Sequence, residues 1–110
     1  MTTVKLLFIG ENITEVECKG HTGYAKHGQD IVCAAVSSII QTALLGLTKL
    51  CESPVEQKVG DGYIKFSIST QTEQDRVVAQ AILQTMRYGV LDLVQGYHTY
   101  IKLEETRNVY

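Results

Sequence analysis

Only one proline interrupts the 110 residues, and no low-complexity run accompanies it. That excludes a proline-rich linker and gives no sign of a disordered tail. No motif recurs at the period of about 20–50 residues that marks a repeat protein. An excess of positive charge is missing as well. Ten Lys and Arg stand against 12 Asp and Glu, for a net charge of −2. The basic residues are scattered, so the chain carries no electrostatic footprint for nucleic acid. The first residues lack an apolar stretch long enough for a signal peptide, and no small-residue cleavage site follows. Three cysteines are an odd number without a secretory signal, which reads as free thiols in a reducing cytoplasm. The length suits a single domain, residues 1–110, with one core.

Apolar content of 45% is ordinary for a globular protein. The stretch 31–50 reaches the length of a bilayer span, about 20 residues. It contains Ser37, Ser38, Gln41, Thr42, Thr48 and Lys49, and its flanks show no bias of Lys and Arg. It reads as a buried or dimer-packed helix, and no membrane partner is expected.

The pattern resolves into seven elements. Residues 4–9 are a short apolar strand, followed by the turn residues Gly10-Glu11-Asn12. Residues 13–19 alternate, with Glu15 and Glu17 on one face and Thr14, Val16 and Cys18 on the other, so the pair reads as a hairpin. A glycine-punctuated loop over 20–28 leads to Asp30, a good N-cap for a helix. On that helix Val32, Val36, Ile39, Ala43, Leu47 and Leu50 form one apolar face, and Ser53-Pro54 stops it. Strands over 55–59 and 63–68 flank Gly60-Asp61-Gly62, a strong hairpin signal. Thr72 to Asp75 resembles a capping box. The second helix then runs to about 95, with Val78, Ile82, Met86, Gly89 and Leu93 as its stripe. Gly96 is a natural C-cap, 97–103 a last strand, and 104–110 a polar tail expected to fray. The fold class is α+β, in the order β-β-α-β-β-α-β. Hairpins in place of crossovers predict a mainly antiparallel sheet with both helices packed on it. Leu44, Leu45 and Leu47 occupy different sides of the first helix, which predicts a homodimer that covers the excess.

Chemistry concentrates between Gly20 and Ser37. Cys33 falls three residues after Asp30, in the expected first turn. A helix N-terminus carries roughly half a positive charge, and thiols placed there drop from about 8.5 to between about 3.5 and 7.5. The competing reading is a small core residue, since free cysteines are among the most buried types. Cys18, on an apolar strand face, and Cys51, at a helix C-terminus, read as inert. His21 ends the second strand and is preferred over His27 as a general base. His98 reads as a surface histidine. Asp30 can cap the helix and also hold the His21 tautomer, as the third member of a triad does. Ser37 lies one turn beyond Cys33 on the same face. Its hydroxyl can serve the site or bond back to the Cys33 carbonyl. Gly20, Gly23 and Gly28 allow the loop to open for a peptide. Cys18, His21, His27 and Cys33 are also residue types that zinc accepts. Their spacing matches no usual zinc pattern, and Cys18 and Cys33 are expected to point independently. The loop lacks both phosphate-binding glycine motifs. No metal and no cofactor are expected.

The run Gly20-His21-Thr22-Gly23-Tyr24-Ala25, then Gly28, then Asp30-Ile31-Val32-Cys33-Ala34-Ala35-Val36-Ser37, resembles the signature of the ribosomal-processing cysteine protease family, Prp. The likeness covers essentially the whole chain. It implies a small cytoplasmic homodimer that removes a short N-terminal extension from the precursor of large-subunit ribosomal protein twenty-seven, cutting after an aromatic residue. It implies a catalytic Cys33 and His21, with Asp30 and Ser37 supporting. The alternatives are a dimeric module that binds a ribosomal peptide without cutting it, and a small zinc-binding domain.

Overall fold

The first apolar run and the alternating run that follows form the predicted hairpin. Strand β1 (Thr2–Ile9) pairs antiparallel with β2 (Asn12–Lys19). Gly10 takes φ +62° in the turn between them, a conformation only glycine adopts without cost. A computed structural model describes residues 1–20 and 27–108, with the side chains of 27–30 outside that description. Helix α1 (His27–Leu50) follows, then the antiparallel hairpin of β3 (Val55–Gly60) and β4 (Tyr63–Ile68), helix α2 (Glu73–Tyr97) and β5 (Ile101–Asn108). The sheet order is β3-β4-β2-β1-β5. Among the described strands three pairings are antiparallel, and β5 runs parallel to β1. The expected α+β order is the one observed.

The register of β2 departs from simple alternation. Leu7 faces Glu15, but Phe8 faces Ile13, so Thr14 is an extra residue, a β-bulge. The bulge resets the phase. Ile13, not Thr14, joins Val16 and Cys18 in the core. The backbone groups of Ile13 are satisfied by the Gln80 side chain: the N–H donates to Oε1 at 2.8 Å and the carbonyl accepts from Nε2 at 2.9 Å.

Both helices cover one face of the sheet, and one core forms beneath them from strand and helix residues together. On α1 the buried set is Val32, Val36, Ile40, Ala43, Leu44 and Leu47. Ile40 and Leu44 replace the expected Ile39 and Leu50. Ile39 turns toward α2 instead, where its Cδ1 lies 3.4 Å from the Cβ position of Gly89, and Leu50 is 66% exposed. Helix α2 likewise has two working stripes, because it lies in the corner between α1 and the sheet. Ala79, Leu83, Met86 and Val90 are buried, while the expected Val78, Ile82 and Leu93 pack at the edge of the core. The stretch Ile31–Leu50 has a mean hydropathy of 1.9, enough by length and composition to cross a membrane. Here its apolar side packs into the core.

Three boundaries differ from expectation. Helix α1 begins at His27, so Asp30 is its fourth residue and not its N-cap, and Gly28 lies in its first turn. Helix α2 passes through Gly96 to Tyr97 and is capped by His98 in a right-handed conformation, so His98 is not on a strand. Residues 104–108 do not fray. They continue β5 along the whole of β1, because the open edge of β1 offers backbone partners that a polar segment can use. Arg107 also stacks 3.9 Å over the ring of Phe8, and Arg87 bonds Glu105 at 2.9 Å.

Candidate active site

Cys33 is held on α1, one turn before Ser37 and two before Gln41. Where this stripe of α1 meets the end of β2 and the tip of the β3–β4 hairpin, a cavity of about 180 Å³ opens. Its walls include Cys18, Gly20, Cys33, Ser37, Gln41 and Tyr63. The hairpin tip is tied to β2 by the Gly20 N–H, which donates to the Gly62 carbonyl at 2.9 Å. Gly62 takes φ +66°, so the Asp-Gly turn helps shape the site. Ser37 Oγ accepts a hydrogen bond from Gln41 Nε2 at 2.8 Å.

Gly20, just past the end of β2, comes close to the sulfur. A Cβ there would stand 3.2 Å from Cys33 Sγ and 2.8 Å from Thr2 Oγ1. Its φ is not positive, so the need for glycine is one of space and not of backbone conformation. Thr2 is 1% exposed, and its Oγ1 has no hydrogen-bond partner. A buried orphan hydroxyl of this kind costs about 1–3 kcal/mol.

The three thiols differ in surroundings. Cys33 is half-buried, and Cys18 and Cys51 are buried. Burial, and then the neighbouring Cys33, push Cys18 up to about 11. Burial and then Asp75 push Cys51 up as well. Both are therefore held as neutral thiols, as expected for inert cysteines. The placement of Cys33 differs from the expectation. With α1 starting at His27, Cys33 is the seventh residue of the helix, past the first turn in which the dipole acts. Its N–H falls in the repeating i→i−4 pattern of the helix interior. The helix end therefore acts on this sulfur less than the sequence suggests. The expected base, His21, and Gly23 lie outside the described residues, as does the side chain of Asp30.

Cys18 and Cys33 do not point independently, as expected, but face one cavity. Sequence reading missed Gln41, Gly60, Gly62 and Tyr63 as lining residues. The two glycines have a signal in the Gly60-Asp61-Gly62 turn, but that signal predicts a hairpin and no more. Nothing in the spacing places that turn beside Cys33.

The chain matches the model of the cysteine protease Prp family over residues 1–102. This chain belongs to the Prp family of cysteine proteases. The ribosomal processing cysteine protease Prp of Staphylococcus aureus is 34% identical over 108 residues, covering 94% of this chain and 97% of its own length. The structure of a Staphylococcus aureus Prp in complex with a substrate peptide superposes with a TM-score of 0.84 at 25% identity, covering 96% of this chain and all of that one. The same enzyme with a covalently linked product peptide gives a TM-score of 0.80 at 27% identity, with the same coverage. Cysteine protease chemistry in ribosomal processing is thus the family's activity, and the seven-element order is its fold.

Proposed function

We propose that this chain is an endopeptidase of one domain, residues 1–110, that removes the N-terminal extension from the precursor of large-subunit ribosomal protein twenty-seven during ribosome assembly. It acts in the cytoplasm as a homodimer, with no nucleic acid or membrane partner of its own. Cys33 is the nucleophile and His21 the general base. The observation that carries this reading is the contact at Gly20. The residue that directly precedes His21 in the chain has its Cβ position 3.2 Å from Cys33 Sγ.

His21 takes the proton of Cys33, and the sulfur attacks the scissile carbonyl carbon. The tetrahedral intermediate collapses to a thioester as His21 protonates the leaving amine. Water, deprotonated by the same imidazole, then releases the acid product and restores the thiol. Asp30 holds the His21 ring, and Ser37, fixed by Gln41, supplies a polar contact within the cavity. The donors for the oxyanion come from the free N–H groups of the first turn of α1 and not from Cys33 itself. One such donor lowers the barrier by about 2.7–4 kcal/mol. Gly20 and Gly23 let the loop admit a peptide; Gly28, inside the helix, plays a smaller part.

The test is incubation with the extended precursor, followed by intact-mass measurement. Cleavage that is lost in both Cys33→Ala and His21→Ala supports the reading. An intact precursor held in a stable complex with the wild-type chain overturns it in favour of a peptide-binding module.

A further inference from the structure

Cys18 has no part in the peptidase chemistry, yet it opens onto the same space as the nucleophile. Cys18 lies near the end of β2, Gly20 follows the strand's end at Lys19, and both line that space. Cys33 Sγ sits 3.2 Å from the Cβ position of Gly20. The two thiols share one cavity of about 180 Å³, and neither is in a disulfide. The third cysteine cannot compete. Cys51 follows the far end of α1, about 27 Å along the axis from Cys33 at 1.5 Å per residue, and its Sγ faces the Asp75 carbonyl at 3.9 Å.

We propose that Cys18 is a resolving thiol for Cys33: a hydroperoxide oxidises Cys33, and Cys18 closes a reversible disulfide with it inside this cavity. In the first step the Cys33 thiolate attacks the outer peroxide oxygen and the O–O bond breaks. The sulfur gives up two electrons and becomes a sulfenic acid, and the remaining alkoxide or hydroxide takes up a proton. In the second step the Cys18 sulfur attacks Cys33 Sγ. The S–O bond breaks, and hydroxide leaves as water with the Cys18 proton. Two thiols and one peroxide thus give one disulfide, one alcohol or water, and one water. A dithiol reductant reverses it by exchange.

The division of labour follows from the surroundings. Cys18 is buried and held as a neutral thiol, raised to about 11, so it resists direct oxidation, and the reaction starts at the more exposed Cys33. Closure needs the Cys18 thiolate, so it quickens as pH rises. The disulfide would also protect Cys33 from irreversible oxidation. That it switches proteolysis off rests on the proposed role of Cys33; the disulfide itself does not.

The experiment treats the native reduced chain with hydrogen peroxide, blocks remaining thiols under denaturing conditions and digests with trypsin without reductant. Cleavage after Lys5, Lys19, Lys26, Lys49 and Lys58 places the three cysteines in separate peptides, 6–19, 27–49 and 50–58. The expected product is a linked 6–19/27–49 pair, two hydrogens lighter than its parts, with Cys51 still alkylated and the link lost on dithiothreitol treatment. In Cys18→Ser, and in Cys18→Val as a check on folding, no link forms and Cys33 passes to the sulfinic acid severalfold faster. A link through Cys51 or to a second chain overturns the proposal. So does a wild type whose Cys33 reaches the sulfinic acid as fast as in the variants. The mass readout needs no substrate. A reduced chain that leaves the precursor uncut sinks the protease reading and leaves the disulfide standing.

Discussion

At the scale of single residues, reactivity is a matter of which sulfur meets solvent. Cys18 and Cys51 are 7% and 8% exposed and are pushed away from the thiolate by burial. Iodoacetamide at neutral pH should therefore modify Cys33 well before either, as peptide mapping over a time course would record. An early product at Cys18 or Cys51 contradicts that order. Gly20 is the second sensitive position. The methyl of Gly20→Ala would press on Cys33 Sγ at 3.2 Å and on the buried Thr2 side chain at 2.8 Å. Overpacking of this kind costs about 1–3 kcal/mol. If Cys33 is the nucleophile, as proposed, its displacement should lower kcat/KM for peptide cleavage on the order of 10²-fold. Urea unfolding and kinetics on the same sample separate the two effects. Cys33, His21, Asp30 and Ser37 were all nameable from residue type and spacing. The contact of Gly20 with Cys33 was not, because it joins a strand end to a helix face across a loop.

At the scale of elements, the joint between α1 and α2 carries the next predictions. Thr72 caps α2 by accepting from the Asp75 N–H at 3.1 Å, which is half of the expected capping box. The other half is diverted. Asp75 Oδ2 accepts instead from the N–H groups of Glu52 and Ser53 at 3.0 and 2.7 Å and from Ser53 Oγ at 2.5 Å. Ser53 Oγ in turn accepts from the Gln71 N–H at 2.8 Å. Ser53→Ala removes a buried donor and acceptor together and should cost about 1–3 kcal/mol, measurable as a lower urea midpoint. The hydroxyl and amides of Ser53 and Glu52 hold the Asp75 carboxyl below its ordinary range. A carboxyl depressed on folding stabilises the protein above its unfolded value of about 3.9. That stabilisation is lost as pH falls through the lower folded value. Asp75→Asn should therefore flatten the dependence of the urea midpoint on pH between about 5 and 2.5. An unchanged slope would contradict the assignment. Helix and strand identity were legible here from periodicity, but phase was not. Each helix touches two neighbours, so its apolar residues divide between two stripes, and a single-stripe reading of α2 picks the edge instead of the buried centre.

At the scale of the whole molecule, tertiary burial takes up much of the apolar excess of α1. Leu44 and Leu47 are in the core, which leaves Ile31, Leu45 and Leu50 at 56%, 57% and 66% exposure. Between the helices lies an apolar groove of about 450 Å³ that includes Ile39, Ala43, Ile82 and Met86. If a second copy covers this outer side, sedimentation equilibrium will give twice the 12.2 kDa chain mass. Leu45→Glu should then shift the equilibrium to monomer with no change in far-ultraviolet dichroism; a wild-type monomer at micromolar concentration contradicts the homodimer. The residue order alone determined the seven elements and the two hairpins, because local periodicity and turn residues are short-range properties. Only the folded chain decided the parallel docking of β5 on β1, the bulge that buries Ile13, the start of α1 at His27 and the meeting of Cys18, Gly20 and Cys33. Each of these depends on which backbone edge lies open and which volume remains unfilled, and both are set by partners distant in the chain.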